Sequence, residues 1–154
     1  PKETHFNNYK KVSIITPNHH EAGFAYGRRI QNEEDLLEVG NGLLNRLQAK
    51  SILITRGPDG MSLFTADSAP RHIPTFAKKV YDVTGAGDTV IASFVVATCA
   101  GADPIEAAVI SNTGAGITVG EIGTATVTVE QLRTELEHNI KNGNVVAVAA
   151  RASG

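Results

Sequence analysis

The chain has 154 residues, 42% of them hydrophobic and 19% charged, which is typical of one soluble domain with a buried core. Its 14 Lys and Arg against 16 Asp and Glu give a formal net charge of −2, and no basic block suits nucleic acid. No run of 18 apolar residues is present, so a membrane-spanning helix is excluded, and no signal peptide is recognisable at the start. We therefore expect a cytoplasmic protein that binds neither nucleic acid nor membrane.

Predicted strands and helices alternate along the chain. Apolar runs bounded by Pro, Gly or polar clusters predict strands over residues 12–16, 51–55, 61–65 and 71–76. Capping residues followed by apolar positions at helical spacing predict helices over residues 19–26, 32–48 and 89–100, from 103 past 116, and over 128–141. This alternation predicts an α/β fold with a largely parallel sheet. Cys99, the single cysteine, lies in an apolar helix and is predicted to be in the core.

The most informative segment is residues 82–88, Asp-Val-Thr-Gly-Ala-Gly-Asp, called here the anion loop. Its small residues let a ligand approach the backbone, and it leads directly into a predicted helix. The unpaired amides and the positive dipole of a helix start bind anions, most often phosphate. Asp88 adds a carboxylate beside that site, a combination that favours phosphoryl transfer. The alternative is a tight glycine turn with Asp88 as the helix N-cap.

A second signal follows the first predicted strand. Asn18 and Glu21 are three residues apart on one helical face, where an amide and a carboxylate together suit a hydrated Mg²⁺. The alternative is a solvated helix start, since Asn-x-x-Glu is common. His19 and His20 lie between them, but no further ligands recur at the spacing of a zinc site.

Two further segments are ambiguous when each is taken alone. The turn over residues 55–60 contains Gly57 and Gly60 at a strand end, where glycines either admit a nucleotide to the backbone or form a hairpin turn. Asn112 precedes Gly114 and Gly116 in a predicted helix, where small residues indicate a ligand contact or close helix packing. The P-loop fingerprint is absent. Neither the anion loop nor residues 114–119 have the third glycine of a dinucleotide-binding motif.

Taken in order, these segments resemble the ribokinase-like (PfkB-type) carbohydrate kinases. The resemblance is carried by Asn18-x-x-Glu21, Thr55-x-Gly57-x-x-Gly60, the anion loop and Asn112, and it extends over about residues 1–133. Residues 16–18, 55–63 and 81–91 are most similar to the D-glycero-β-D-manno-heptose 7-phosphate kinases of lipopolysaccharide-core synthesis. The resemblance implies a three-layer α/β/α sandwich and ATP-dependent phosphorylation of a sugar or sugar phosphate, here the C1 hydroxyl of heptose 7-phosphate.

The resemblance also implies a role for each matched residue. Asp88 would take the proton from the sugar hydroxyl, and the amides of Gly85, Ala86 and Gly87 would form the anion hole. Asn18 and Glu21 would position Mg²⁺ and the phosphates. The nucleotide pocket would be lined by Thr55, Gly57, Gly60, Asn112 and Gly116. A K⁺ ion near the loop would be held by Asp82, by the Thr84 carbonyl and by carbonyls within residues 119–123.

Members of this family are about twice as long as this chain, and their N-terminal half supplies the sugar pocket. Residues 1–11 are polar and irregular and begin as if cut from something longer. We therefore expect residues 1–142 to be the C-terminal half of a kinase domain. Residues 143–154 would be a tail or linker, with a strand over 145–149 as the alternative. We expect a homo-oligomer or pairing with a missing N-terminal half, because half of a sheet leaves a strand edge and an apolar face uncovered.

Two other functions remain open at this stage. One is a non-catalytic nucleotide-binding or assembly module that lacks the substrate half, and the other is a phosphate-binding regulatory domain. The acid at position 88 favours a kinase, because a protein that only binds phosphate gains nothing from a carboxylate facing it.

Overall fold

The computed structural model describes residues 3–76, 80–121 and 126–145. The chain divides into two compact units, Pro1–His72 and Ile73–Gly154. The strands are β1 (Ile14–Ile15), β2 (Ser51–Thr55), β3 (Met61–Thr65) and β4 (Ser68–Ile73). The helices are α1 (His19–Tyr26), α2 (Glu33–Leu47), α3 (Ala86–Cys99), α4 (Pro104–Val119) and α5 (Val129–Lys141). Within these described ranges, no helix is both long and apolar enough to cross a membrane.

The four strands form one mixed sheet in the order β1-β2-β3-β4. β1 and β2 are parallel, with Ile14 opposite Ser51, whereas β2 and β3 are antiparallel, with Ile54 opposite Ser62. The predicted α/β class is confirmed, but the sheet is not largely parallel. The reason is the short turn between β2 and β3, because a connection of a few residues can only join antiparallel strands.

The first unit is built around α2 and β2. α2 buries one stripe of apolar side chains at helical spacing, namely Leu36, Val39, Leu43, Leu44 and Leu47. Ile52, Leu53 and Ile54 of β2 are all fully buried, as expected for a strand covered on both faces. α2 begins at Asn32, whose side chain accepts a hydrogen bond from the amide of Asp35 at 2.9 Å. The predicted start of this helix is therefore confirmed.

The predicted starts of α1, α4 and α5 are confirmed, and so are the bounds of β2 and β3, whereas α3 begins at Ala86, before the predicted residue 89. The capping boxes of α1, α4 and α5 are all present, at Asn18, Asp103 and Thr128. β1 is shorter than predicted, and β4 begins at Ser68 instead of residue 71. β4 starts early because Ala66 and Asp67 alone make the turn after β3. The predicted alternative strand over 145–149 lies, apart from Val145, outside the described residues.

In the second unit α3 packs against α4. Val90, Phe94 and Ala97 are the buried residues of α3 and lie along one face of that helix. Cys99 is exposed, so the prediction of a core cysteine is wrong. It follows Ala97 by two positions, about 200° around an α-helix, and therefore lies on a different face.

A buried carboxylate gives the first unit an acid-sensitive contact. Asp35 accepts hydrogen bonds from the amide of Gln31 at 3.0 Å and from Nε of Arg28 at 2.8 Å. The Gln31 amide most of all, and then the Arg28 guanidinium, lower the pKa of Asp35, although burial acts in the opposite direction. A lowered pKa means that the folded state favours the ionised carboxylate.

Stability is therefore expected to fall at acidic pH through Asp35. The contribution is fully present above the unfolded pKa of about 3.9 and is lost as the pH falls through the lower folded pKa. Urea unfolding of wild type and Asp35→Asn between pH 2 and pH 6 measures this, and the two stability curves should converge toward the acid end. Asp67→Asn, at an exposed turn position, is the control. Parallel curves for wild type and Asp35→Asn would contradict the expectation.

Candidate active site

The anion loop ends in a helix start that has no side-chain cap. Gly85 is the N-cap of α3, with φ of 80° in the left-handed region, and it makes no side-chain cap hydrogen bond. A glycine is needed there because other residues rarely adopt this conformation. Asp88 lies three positions after Gly85, within the first turn of α3. The alternative in which Asp88 is the N-cap is therefore wrong.

The backbone around the loop is held by local hydrogen bonds. The amide of Thr84 donates to Oδ1 of Asp82 at 2.9 Å, and the amide of Ala86 donates to the carbonyl of Val83 at 3.2 Å. A Cβ added to Gly85 or Gly87 would meet no atom within 4 Å, so there is open space beside both residues. The loop thus presents backbone amides at the positive end of α3 with room for a ligand.

A cavity of about 410 Å³ lies in the same unit. Its lining includes the aromatic rings of Phe76 and Tyr81 and one side of α4 at Gly116 and Ile117. Aromatic walls around a mainly apolar cavity suit a planar ring such as a nucleobase. Gly116, predicted to contact a nucleotide, therefore lines a cavity with suitable walls.

Asn112, also predicted to contact a nucleotide, is not among the residues that line this cavity. It is buried, and its Nδ2 donates to the carbonyl of Pro74 at 2.7 Å. This bond ties the segment before Phe76 to α4. Asn112 thus supports the segment that carries one wall of the cavity.

In the first unit, Asn18 and Glu21 form the start of α1. The amide of Glu21 donates to Oδ1 of Asn18, and the amide of Asn18 donates to Oε2 of Glu21, both at 2.9 Å. These bonds use one side-chain oxygen of each residue. A carboxylate has two oxygens with several lone pairs, so capping leaves Glu21 able to accept further ligands.

The predicted nucleotide turn lies beside this capping box. Thr55 pairs with Asn18 across the parallel strand ends, and its amide donates to the carbonyl of Pro17 at 3.0 Å. Gly57 and Gly60 both have positive φ, at 59° and 78°. A Cβ on Gly57 would meet nothing within 4 Å, so its backbone is open to a ligand. The first unit therefore brings Asn18, Thr55 and the glycine turn together at one end of its sheet.

His19, which lies between Asn18 and Glu21, is a partly buried neighbour of this group. Burial most of all, and then the adjacent His20, lower the pKa of His19, although a hydrogen bond with the Thr55 backbone acts in the opposite direction. The centroids of the His19 and His20 imidazole rings lie 3.9 Å apart. Within the described part of the chain, no group of three or more His, Cys, Asp or Glu is placed to hold a metal.

The carbonyls proposed to help hold K⁺ lie within residues 119–123, of which 122 and 123 are outside the described residues. Asp82 and Thr84 are described, and the Val119 carbonyl accepts a 2.7 Å hydrogen bond from the amide of Tyr81. Tyr81 is a site residue that sequence reasoning missed, although it directly precedes the anion loop.

Comparison with known proteins places these features in one family. The family described as pfkB family carbohydrate kinase matches residues 2–132. A curated relative, the bifunctional protein HldE of Pelobacter propionicus, is 41% identical over 99% of this chain. The chain spans 33% of that relative's length.

Solved structures support the same fold. An Arabidopsis thaliana ribokinase complexed with ribose and ATP matches 88% of this chain with a TM-score of 0.77 and 23% identity, and the match covers 43% of its own length. Escherichia coli phosphofructokinase-2 in complex with potassium matches 86% with a TM-score of 0.78 and 15% identity, covering 42% of its length. The ribokinase-like fold is thereby confirmed, and the chain belongs to the pfkB family of carbohydrate kinases.

Proposed function

We propose that this chain carries the nucleotide-binding and catalytic part of an ATP-dependent sugar kinase. The observation that carries the proposal is the start of α3, where the glycine N-cap leaves backbone amides without a side-chain partner and Asp88 follows in the same turn. A kinase needs both features, because the backbone amides stabilise a phosphoryl group and the carboxylate accepts a proton.

The proposed reaction proceeds in one displacement. Asp88 takes the proton from the sugar hydroxyl as that oxygen forms a bond to the γ-phosphorus of ATP. The bond from the γ-phosphorus to the β,γ-bridging oxygen breaks, and ADP leaves with that bond's electron pair. The transition state is loose, so catalysis depends mainly on positioning and on charge stabilisation. The amides of Gly85 and Gly87 would supply hydrogen bonds to the transferred group, and the Ala86 amide would join them by leaving the Val83 carbonyl, to which it donates at 3.2 Å.

Each unit by itself carries positions proposed to bind a nucleotide. In the first unit, Thr55 and the open backbone of Gly57 would contact the nucleotide. Gly60 is buried and its amide donates to the Gly57 carbonyl, so it would shape the turn instead. In the second unit, the cavity beside Gly116 would accept the base, and Asn112 would hold one of its walls through Pro74.

The chain offers oxygen donors for both metals that the family implies, Mg²⁺ and K⁺. Mg²⁺ is commonly held by one or two carboxylates together with phosphates and water, and Glu21 with Asn18 provides oxygen donors of that kind. Asp82 and the carbonyl of Thr84 would supply oxygen ligands to K⁺, an ion that proteins coordinate through carbonyl oxygens. Bound Mg²⁺ would neutralise charge on the phosphates. The proposed role of Glu21 and Asn18 is to orient it.

The proposed phosphoryl acceptor is a hydroxyl of a sugar phosphate, specifically the C1 hydroxyl of heptose 7-phosphate. Support comes from the resemblance at residues 16–18, 55–63 and 81–91 and from the HldE relative. Because the chain spans about a third of that relative, we propose that further sequence supplies the sugar pocket. The same fact keeps a non-catalytic nucleotide-binding or assembly module as the second candidate.

We expect the isolated chain to bind ADP weakly with Mg²⁺ and to phosphorylate no sugar. The nucleotide positions are present, whereas the matched length is a minor part of the relatives. Isothermal titration calorimetry with MgADP up to about millimolar concentration tests binding. A coupled assay with ATP and heptose 7-phosphate tests turnover. Absence of binding would contradict the nucleotide assignment, and robust turnover would show that the chain is sufficient for catalysis.

A further inference from the structure

The last turn of α4 is hydrogen-bonded to the residues on both sides of the anion loop. On one side, the carbonyl of Val119 accepts the amide of Tyr81 at 2.7 Å and, more weakly, that of Asp82 at 3.4 Å. On the other side, Oγ1 of Thr118 lies 3.2 Å from Oγ1 of Thr89. Thr89 directly follows Asp88 in the first turn of α3. Two successive residues of α4 therefore fix the loop where it begins and where it ends.

Thr118 is well placed to hold a fixed geometry. Its side chain is buried, and its hydroxyl also lies 3.1 Å from the carbonyl of Gly114, one turn earlier in α4. A hydroxyl has one hydrogen and two lone pairs, so it can donate to Gly114 while accepting from Thr89. A buried hydroxyl with two partners has little freedom to rotate.

The helices also come close together at this point. A Cβ added to Gly114 would lie 3.0 Å from Oγ of Ser93 and 3.5 Å from Cγ2 of Thr89. The absence of a side chain at Gly114 thus lets α4 approach the first turns of α3. This close approach brings the Thr118 and Thr89 hydroxyls within hydrogen-bond distance.

We propose that Thr118 is a positioning residue for phosphoryl transfer. By holding Thr89, it fixes the first turn of α3, and that turn sets the direction of the Asp88 carboxylate and of the amides of residues 85–87. This inference rests on the proposed function only in its claim that the ordered loop serves phosphoryl transfer. The claim that Thr118 orders the loop is a structural one and can be tested without any nucleotide.

The test is amide hydrogen exchange on the intact chain, without ligand, followed at the hydrogen-bonded amides of Thr84, Ala86 and Thr89. Thr118→Val keeps the side-chain shape and removes the hydroxyl, and should accelerate exchange about two- to ten-fold, the range expected for loss of one hydrogen bond. Thr118→Ser keeps the hydroxyl and should exchange like wild type. Ser111→Ala is the matched control, because Ser111 is a buried α4 residue whose hydroxyl donates to the Ala107 carbonyl at 2.7 Å. It should leave loop exchange unchanged.

Thr89→Val removes the same hydrogen bond from its more accessible side and should accelerate the same amides. It keeps the test decisive if Thr118→Val does not fold. Loop exchange that rises no more in Thr118→Val and Thr89→Val than in Ser111→Ala would overturn the proposal.

Calorimetry with MgATP on the same variants separates this inference from the proposed function. We expect weaker ATP binding in the two Val variants by a factor similar to that seen in exchange. If the wild-type chain binds no ATP, the proposed function fails, while the exchange data still decide whether Thr118 orders the loop. If ATP binds equally to all variants although exchange differs, Thr118 orders the loop without positioning it for the nucleotide, and the proposal is overturned.

Discussion

Asp88→Asn is expected to reduce kcat by about 10²–10⁴, the usual contribution of a general base. The substitution removes the proton acceptor but preserves the side-chain shape at an exposed position in the first turn of α3. Nucleotide affinity should stay the same or improve slightly, because one negative charge near the phosphates is lost. The assay is best made in a full-length chimaera in which this chain replaces the matching segment of the Pelobacter propionicus relative, with ATP and heptose 7-phosphate as substrates.

Glu106→Gln provides the matched control for Asp88→Asn. Glu106 is the acid at the same position of the first turn in α4, where it accepts a hydrogen bond from the amide of Asp103 at 2.9 Å. Gln can make the same capping interaction, so this variant loses a helix-start charge without affecting the proposed base. It should keep near wild-type kcat. If Asp88→Asn kept more than about a tenth of the wild-type kcat, short of the general-base range, Asp88 would not be the base.

Gly40→Ala is expected to destabilise the first unit by about 1–3 kcal/mol, the usual effect of overpacking a core. A Cβ at Gly40 would lie 2.3 Å from the ring of Phe64, a fully buried residue of β3. Helix propensity alone would favour Ala over Gly by about 1 kcal/mol, so the expected sign is set by the overlap with the ring. Urea unfolding measures the effect as a lower midpoint with an unchanged slope.

Gly42→Ala is the matched control on the same helix. Its added Cβ would lie 2.1 Å from the ring of Tyr26, which is only partly buried and can move outward. This variant should lose less stability than Gly40→Ala. In the background of Phe64→Leu, Gly40→Ala should become much less harmful, because the two positions are in contact and their effects should not add. A Gly40→Ala protein as stable as wild type would contradict this view of the core.

The sequence predicts the local features of this fold well. Asn18, Asp103 and Thr128 are recognisable because an N-cap and its partner are only three residues apart. The buried strand β2 is recognisable from its unbroken apolar run. The anion loop is recognisable because its small residues and the helix that follows form one continuous segment of the sequence.

Features that depend on distant residues are not predictable in this way. Asn112 bonds to Pro74 across 38 residues, and no local pattern links the two. The exposed face of α3 that carries Cys99 is apolar in sequence, so hydrophobicity alone cannot show which side is buried. The choice of Gly85 as the N-cap is not predicted either, because residue type alone favours Asp88 as the cap.

The most direct test of the central claim is an NMR titration of the isotopically labelled chain with MgATP. Our structure predicts saturable shifts at the amides of Gly85, Ala86, Gly87 and Asp88, because these amides lie at the uncapped start of α3 where the γ-phosphate should bind. Inorganic phosphate should shift the same amides more weakly. Saturable ATP binding that leaves these four amides unchanged would contradict the claim that the anion loop is the phosphate site.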